Sequence, residues 1–333
     1  MKALRRALRP LLSHFSPGGG NGRLAILIYH RVLPSPDPLR PGEPDAGRFE
    51  WQMEVLASLC NVLPLSEAVF RLREGSLPPR AVAITFDDGY ADNLDVATPI
   101  LQRWGLPSTL FVATAFLDGG IMWNDVVLET FAHLPSGRVD LSSVGLGVVE
   151  IGDDLDRRRH AASVLGALKY RPVEERVRLA HGLAEYAGVS LPRDLMLDRE
   201  RLIAMSRRDW EIGGHTVNHP ILSILPSDEG RREITEGKAG LERILGRPVS
   251  LFAYPNGKPG HDYTDEHVKM LPAVGFEAAV STHWAVNDSS SDPFQLARIN
   301  IWDRTPLRFA LRLADAYRRG SPTSLPTTVR VPT

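Results

Sequence analysis

Ala81-Val82-Ala83-Ile84-Thr85-Phe86-Asp87-Asp88-Gly89-Tyr90 is the stretch on which the reading of this chain turns. A run of uncharged, mostly apolar or β-branched residues stops at two adjacent carboxylates. Such a run predicts a buried strand that delivers an acid pair at its C-terminal end. Gly89 permits a sharp turn, and a helical pattern starts at Asp92 and continues through Ile100 and Trp104. Neighbouring side chains on an extended segment point to different sides. One aspartate is then free to bind a metal while the other acts as a base. On its own an Asp-Asp pair reads first as a helix-capping turn, so the other strand ends have to decide.

Outward from this stretch, short apolar runs alternate with helical spacing. Leu24 to Tyr29 predicts a strand ending at His30, and helices are predicted at 49–60 and 65–73, the second capped by Ser66. Further strands are predicted at Thr109 to Ala113, Trp210 to Gly213, Val249 to Tyr254, Phe276 to Ser281 and Leu296 to Ile301. Helical spacing falls at 228–245, 264–272 and 306–318. Strands separated by helices argue a closed or nearly closed parallel β/α barrel of seven strands. Between about 119 and 197 the spacing is helical, with weak strand signals, which predicts a helical insertion. The expected organisation is a basic leader and Gly-rich linker over 1–22, the barrel with its insertion over 23–318, and a disordered Pro/Ser/Thr-rich tail over 319–333.

The chain has 333 residues, with 39 Lys and Arg against 40 Asp and Glu, so nothing suggests a nucleic-acid surface. Its single cysteine, Cys60, excludes an internal disulfide framework and any Cys-built zinc site. Lys2, Arg5, Arg6 and Arg9 interrupt the apolar residues near the N-terminus, which leaves no signal-peptide core. No stretch approaches the ~18 apolar residues of a spanning helix. The expectation is a cytoplasmic protein. The basic N-terminus reads either as a solvated leader or as a peripheral contact with the anionic inner face of the membrane.

In parallel barrels the chemistry sits at the C-terminal ends of the strands. Here those ends carry His30, then Asp87 and Asp88, then Gly213-Gly214-His215-Thr216-Val217-Asn218-His219-Pro220. Tyr254-Pro255-Asn256-Gly257, His283 and the segment Arg298 to Asp303 follow. The spacing of His215 and His219 suits a metal pair, but Pro220 biases His219 away from a helix and no Glu follows His215. A strand-to-loop pair needs one carboxylate from elsewhere, and Asp88 is the natural third ligand. Two neutral imidazoles and a carboxylate leave an open coordination position, the pattern of a catalytic metal.

Thr85-Phe86-Asp87-Asp88-Gly89 followed by His215-Thr216-x-x-His219-Pro220 resembles the polysaccharide deacetylases, carbohydrate esterases with a chitooligosaccharide-deacetylase homology domain. The resemblance covers about 24–115 and 198–305 and implies an irregular seven-stranded β/α barrel. It implies Asp87 as general base and Asp88, His215 and His219 as ligands of one divalent ion, zinc foremost, with cobalt, nickel and iron as alternatives. Phe252-Ala253-Tyr254-Pro255-Asn256-Gly257 matches the family's fifth-strand motif in part. Ala253 stands where an arginine belongs, a role Arg298 is expected to take, and Asn256 stands where a tyrosine lends its N–H to the oxyanion. The family's C-terminal Leu-x-His has no counterpart here. Tyr29-His30-Arg31-Val32 resembles the first strand of poly-N-acetylglucosamine deacetylases, which makes His30 the expected general acid and His283 its rival. Tyr254, His283 and Trp302 are expected to bind substrate; Trp123, Asp125 and Trp302 are candidates to line a sugar cleft, although single aromatics are more often core.

The resemblance implies a metal-dependent hydrolase that removes N-acetyl groups from an amino sugar of a surface polysaccharide or its precursor. Its partner is then an N-acetylated glycan. A deformylase, an O-acyl esterase on a related glycan, and a non-catalytic glycan-binding barrel are the alternatives.

Overall fold

The computed structural model describes residues 2–208 and 210–321, with the side chains of 2–7 outside the description. Most of the tail expected at 319–333 therefore lies outside the described residues. The chain begins with α1 (Lys2–Phe15), β1 (Leu24–Tyr29), α2 (Ala46–Leu59), β2 (Asn61–Val62), α3 (Leu65–Arg73) and β3 (Ala81–Phe86). A π-helical turn (Asn93–Ala97), α4 (Thr98–Trp104) and β4 (Ser108–Val112) follow. The insertion holds α5 (Trp123–His133), β5 (Gly137–Asp140), β6 (Val148–Ile151), α6 (Asp154–Leu168) and α7 (Val173–Tyr186). The chain then continues through α8 (Arg199–Ser206), β7 (Trp210–Gly214), α9 (Ser227–Leu245) and β8 (Leu251–Ala253). It finishes with α10 (Asp265–Val274), β9 (Ala278–Val280), β10 (Ile299–Asn300) and α11 (Pro306–Arg319).

The main sheet runs β10-β1-β3-β4-β7-β8-β9, with β2 paired to β3 at the side. Every pairing in it is parallel. The seven expected strands are all present, and the last three are trimmed to two or three residues. β1 and β3 are buried along their whole length, as strands covered on both faces must be, which is why they read as unbroken apolar runs. Leu296 pairs with Val280 of β9 while Ile299 and Asn300 pair with β1, so one segment touches both edges of the curled sheet. Alternate residues of the strands, among them Leu24, Ile26, Ala81, Ala83, Leu251, Val280 and Leu296, meet in one cluster with Leu65, Ala68 and Leu72 of α3. Residues from opposite edges can share a cluster only on the inner face of a sheet that curls. The other face packs against the surrounding helices.

Several expectations need correction. The N-terminal stretch is a helix, and Leu8 and Leu12 are buried in the main core. A leader solvated all round is thus replaced by a helix whose apolar face is taken up by the barrel. No described helix is long and apolar enough to cross a membrane. The insertion contains an antiparallel pair, β5 with β6, as well as helices. Its own core includes Val126, Phe131, Val139, Ile151, Val164 and Leu183. Ser66 caps no helix; α3 starts at Pro64 without a side-chain cap, and the Ser66 hydroxyl donates to Glu211.

Candidate active site

Asp87 directly follows β3, and its N–H donates to Tyr29 O of β1 at 3.0 Å, keeping the acid pair level with His30. Thr85 Oγ1 donates to Leu27 O at 2.8 Å, one strand over. Arg298 reaches Asp87 from just before β10: Nη1 and Nη2 each donate to a carboxylate oxygen at 2.7 Å. The guanidinium is fully buried and is itself held by Ser281 O at 2.9 Å and Thr85 Oγ1 at 3.2 Å. Burial would raise the Asp87 carboxyl, but Arg298, with His215 and His30 behind it, outweighs burial and holds it below the usual carboxylate range. Asp87 is therefore an ionised carboxylate with its orientation locked by a two-point fork. Ala253 leaves the family's usual arginine position empty, and Arg298 arrives from the other edge of the sheet.

Asp88 turns away from its neighbour through a backbone φ of 76°. Its Oδ1 lies 3.4 Å from His215 Nε2 and 3.5 Å from His219 Nε2, and the three ligand atoms fall within 4.8 Å of one another. The opposite nitrogen of His215, Nδ1, is 2.7 Å from Ala253 O. A carbonyl only accepts, so Nδ1 carries a proton and Nε2 is the ring nitrogen that faces Asp88, the one left for a metal. Burial lowers the His219 pKa to about 3 despite the pull of Asp88. The Asp88 carboxyl is held well below the usual range: burial opposes its charge, but His219, His215 and His30 outweigh it. Asp88 Oδ1 is buried without a hydrogen-bond partner. Two ring nitrogens converging on a buried carboxylate oxygen that has no hydrogen-bond partner among the described residues make a donor set that fits a divalent cation.

The loop carrying the histidines is strained and pinned. Thr216 and His219 have φ of 66° and 51°, which costs non-glycine residues and persists only where the surroundings impose it. Thr216 Oγ1 accepts the His219 N–H at 3.1 Å. Glu233 of α9 accepts from Val217 N at 2.9 Å, Asn218 N at 2.8 Å and Asn218 Nδ2 at 2.7 Å. α9 comes this close because residue 237 is glycine: a Cβ there would lie 2.8 Å from Thr216 C and 2.9 Å from Thr216 O.

A cavity of about 740 Å³ opens over these groups. His30, Asp87, Asp88, His215, His219 and Asn256 line it, as do Trp123 and Asp125 of α5. His30 is held from behind by Asn93 Nδ2, which donates to its carbonyl at 2.9 Å. Asp92 fixes the following turn through Val32 N at 3.2 Å and Arg31 Nε at 2.8 Å. Burial would lower the His30 imidazolium, but Asp88, Asp87 and Glu43 together hold it above its ordinary value. Asn256 has a φ of 59°, and its N–H has no partner among the described residues. Asp125 accepts from Tyr90 Oη at 2.8 Å, and burial raises its carboxyl to about 6.

The expected substrate contacts are placed differently. The Tyr254 ring is fully buried, stacked 3.7 Å from Tyr263, with its hydroxyl donating to Phe294 O at 3.0 Å. The fifth strand sends that side chain into the core, because the turn that presents Asn256 starts only after it. Trp302 is 58% exposed and His283 half-buried, and neither lines the cavity. Burial lowers the His283 imidazole. The motif reading missed Arg40, Glu43, Lys169, Arg176 and Thr282 on the cavity wall. Lys169 and Arg176 come from the insertion, where no motif marked them.

A family model described as polysaccharide deacetylase matches residues 74–133 and 153–279. The interval it passes over, 134–152, holds the β5–β6 hairpin. YxkH of Bacillus subtilis (strain 168), which carries the family's name, is 19% identical over 280 residues, 84% of this chain and 71% of its own. A Streptococcus pyogenes deacetylase, PplD, solved with acetate, superposes with a TM-score of 0.59 at 19% identity, over 88% of this chain and 98% of its own. IcaB from Ammonifex degensii gives 0.58 at 20% identity, over 90% and 98%. At these identities the superpositions speak for the fold. The match of the family model, across both the Asp-Asp strand and the two-histidine loop, places the chain in the polysaccharide deacetylase family.

Proposed function

We propose that this protein is a metal-dependent N-deacetylase acting on an amino sugar of a surface polysaccharide or its precursor. One observation carries the reading: His215 and His219 converge on a buried Asp88 oxygen that has no hydrogen-bond partner among the described residues, while Asp87 beside it is clamped by Arg298. Asp88, His215 and His219 would hold a divalent ion, which when bound polarises water and the acetamide carbonyl. Asp87 removes the proton of the attacking water, and Arg298 keeps its carboxylate ionised and aimed. Asn256 N–H donates to the oxyanion as the carbonyl carbon becomes tetrahedral. His30 hands a proton to the departing amine, so the products are free acetate and an amino sugar. Two imidazoles and one carboxylate suit an amide as well as an ester, and family membership favours the acetamide.

The test is acetate release from N-acetylated oligosaccharides, run with zinc, cobalt or nickel added back to chelator-treated protein. Acetate appearing only with metal, at one ion per chain, is the expected result. Turnover unaffected by chelation, or metal binding without acetate release from any N-acetylated glycan, would overturn it.

A further inference from the structure

The insertion does more than flank the cavity. Its wall carries Trp123, Lys169 and Arg176. Arg176 is 2% exposed, and its Nε is buried with no hydrogen-bond partner. Its terminal nitrogens reach only backbone carbonyls, Lys169 O at 3.4 Å and His219 O at 3.2 Å. Among the described residues no carboxylate forms an ion pair with Arg176 or Lys169. The guanidinium sits 5.3 Å from the centre of the Trp123 ring. Burial alone pulls the Arg176 pKa down, with no acidic group offsetting it.

A buried cation without a counter-ion is costly. The carboxylates around the cavity are already engaged elsewhere. Asp87 is held by Arg298, and Asp88 faces the two histidines. Asp125 takes the Tyr90 hydroxyl and lies 3.8 Å from Arg40. Glu43 accepts the Arg31 N–H at 3.3 Å. The cations on the wall that have no carboxylate partner among the described residues therefore come from one side, the insertion. Through the His219 carbonyl it adjoins the metal triad, so a group bound there sits on the reacting sugar or the one next to it.

We propose that Arg176 and Lys169 form an oxyanion subsite beside the Trp123 ring, so that the substrate is an amino sugar carrying a phosphate or carboxylate close to its N-acetyl group. A planar guanidinium and an ammonium suit both oxyanions, and the half-buried indole face offers the sugar a stacking surface. This rests on the deacetylase reading for the identity of the ligand as a sugar, but the anion preference is measured separately from turnover.

The experiment is calorimetric binding to the full chain, with and without metal, of three probes: neutral di-N-acetylchitobiose, N-acetylglucosamine 1-phosphate, and an N-acetylglucosamine–glucuronic acid disaccharide. At least one anionic probe is expected to bind about tenfold tighter than the neutral one. The gap should persist without metal, which excludes phosphate ligating the ion as its cause. It should narrow between about 50 and about 500 mM salt, and shrink severalfold in Lys169→Ala and Arg176→Gln. Which anionic probe wins tells phosphate from carboxylate. Arg176 bonds the His219 loop, so if Arg176→Gln does not fold, Lys169→Ala, whose side chain makes no hydrogen bond among the described residues, decides. Equal affinity for all probes, or a gap that survives Lys169→Ala, would overturn the subsite. Acetate release from the neutral probe without anion preference sinks the subsite and leaves the deacetylase reading standing. Anion preference without acetate release from any probe does the reverse.

Discussion

Asp87 and Asp88 are adjacent in sequence and have different partners in space: one faces a guanidinium, the other two imidazole rings. That division predicts different losses. Asp87→Asn keeps the fold and one metal ion per chain but lowers the rate by between about a hundredfold and ten-thousandfold, the usual worth of a general base. Asp88→Asn loses the ion, because an amide replaces the one anionic ligand. Metal content and single-turnover rates on the two variants check this, and loss of metal from Asp87→Asn alone would reverse the roles. His30 makes a separate claim. A general acid must be protonated, and Asp88 and Asp87 hold this imidazolium above its ordinary range against burial. The rate should therefore fall on the alkaline side as His30 loses its proton. His30→Ala should remove that limb while leaving metal binding unchanged, and substrates with a better leaving group should suffer less. A pH–rate profile with its alkaline limb intact in His30→Ala would hand the role to another donor.

At the scale of elements, the histidine loop depends on a helix with no chemistry of its own. α9 presents Glu233 to three N–H groups of the loop and, at Gly237, lets the Thr216 backbone come into contact. Gly237→Ala places a methyl group against main-chain atoms that cannot swing away. The expected cost is about 1–3 kcal/mol of stability, as for other overpacked sites, with metal affinity down by roughly tenfold or more, as when support behind a ligand is lost. Thermal unfolding and metal titration together check it; unchanged metal affinity would mean the loop holds its strained φ angles unaided. The helical pattern of α9 was legible in the sequence, but the need for glycine at 237 was not. Nothing local to a helix shows which backbone will lie against it.

The whole molecule has a barrel core and a separate core inside the insertion. Cores that share few side chains open separately. Phe131→Ala, fully buried in the insertion, should cost about 3–5 kcal/mol there, as large-to-small core changes do. Amide hydrogen exchange should speed up across 123–187 while β1, β3 and β4 keep their protection. Uniform acceleration through the barrel strands would mean the two cores unfold as one. The insertion therefore supplies one cavity wall from a unit that contributes none of Asp88, His215 and His219.

Where the chemistry follows strand by strand, the sequence alone was enough. Mostly apolar runs, several ending in a polar or titratable residue, specify buried parallel strands and put Asp87, Asp88, His215, His219, His30 and Asn256 on one rim. Periodicity and motif spacing are local signals, and these residues lie within a few positions of a strand end. What only the tertiary structure decided are the encounters between distant segments. Arg298 of one sheet edge clamps Asp87 of the middle, Arg176 of the insertion bonds the His219 carbonyl, and α1 buries Leu8 and Leu12 in place of solvent. The Tyr254 ring turns inward, although its place in the motif pointed to the substrate. Each of these depends on how the sheet curls and on what packs across it, and side-chain direction at a strand's last residue is settled by that packing, beyond the reach of any pattern along the chain.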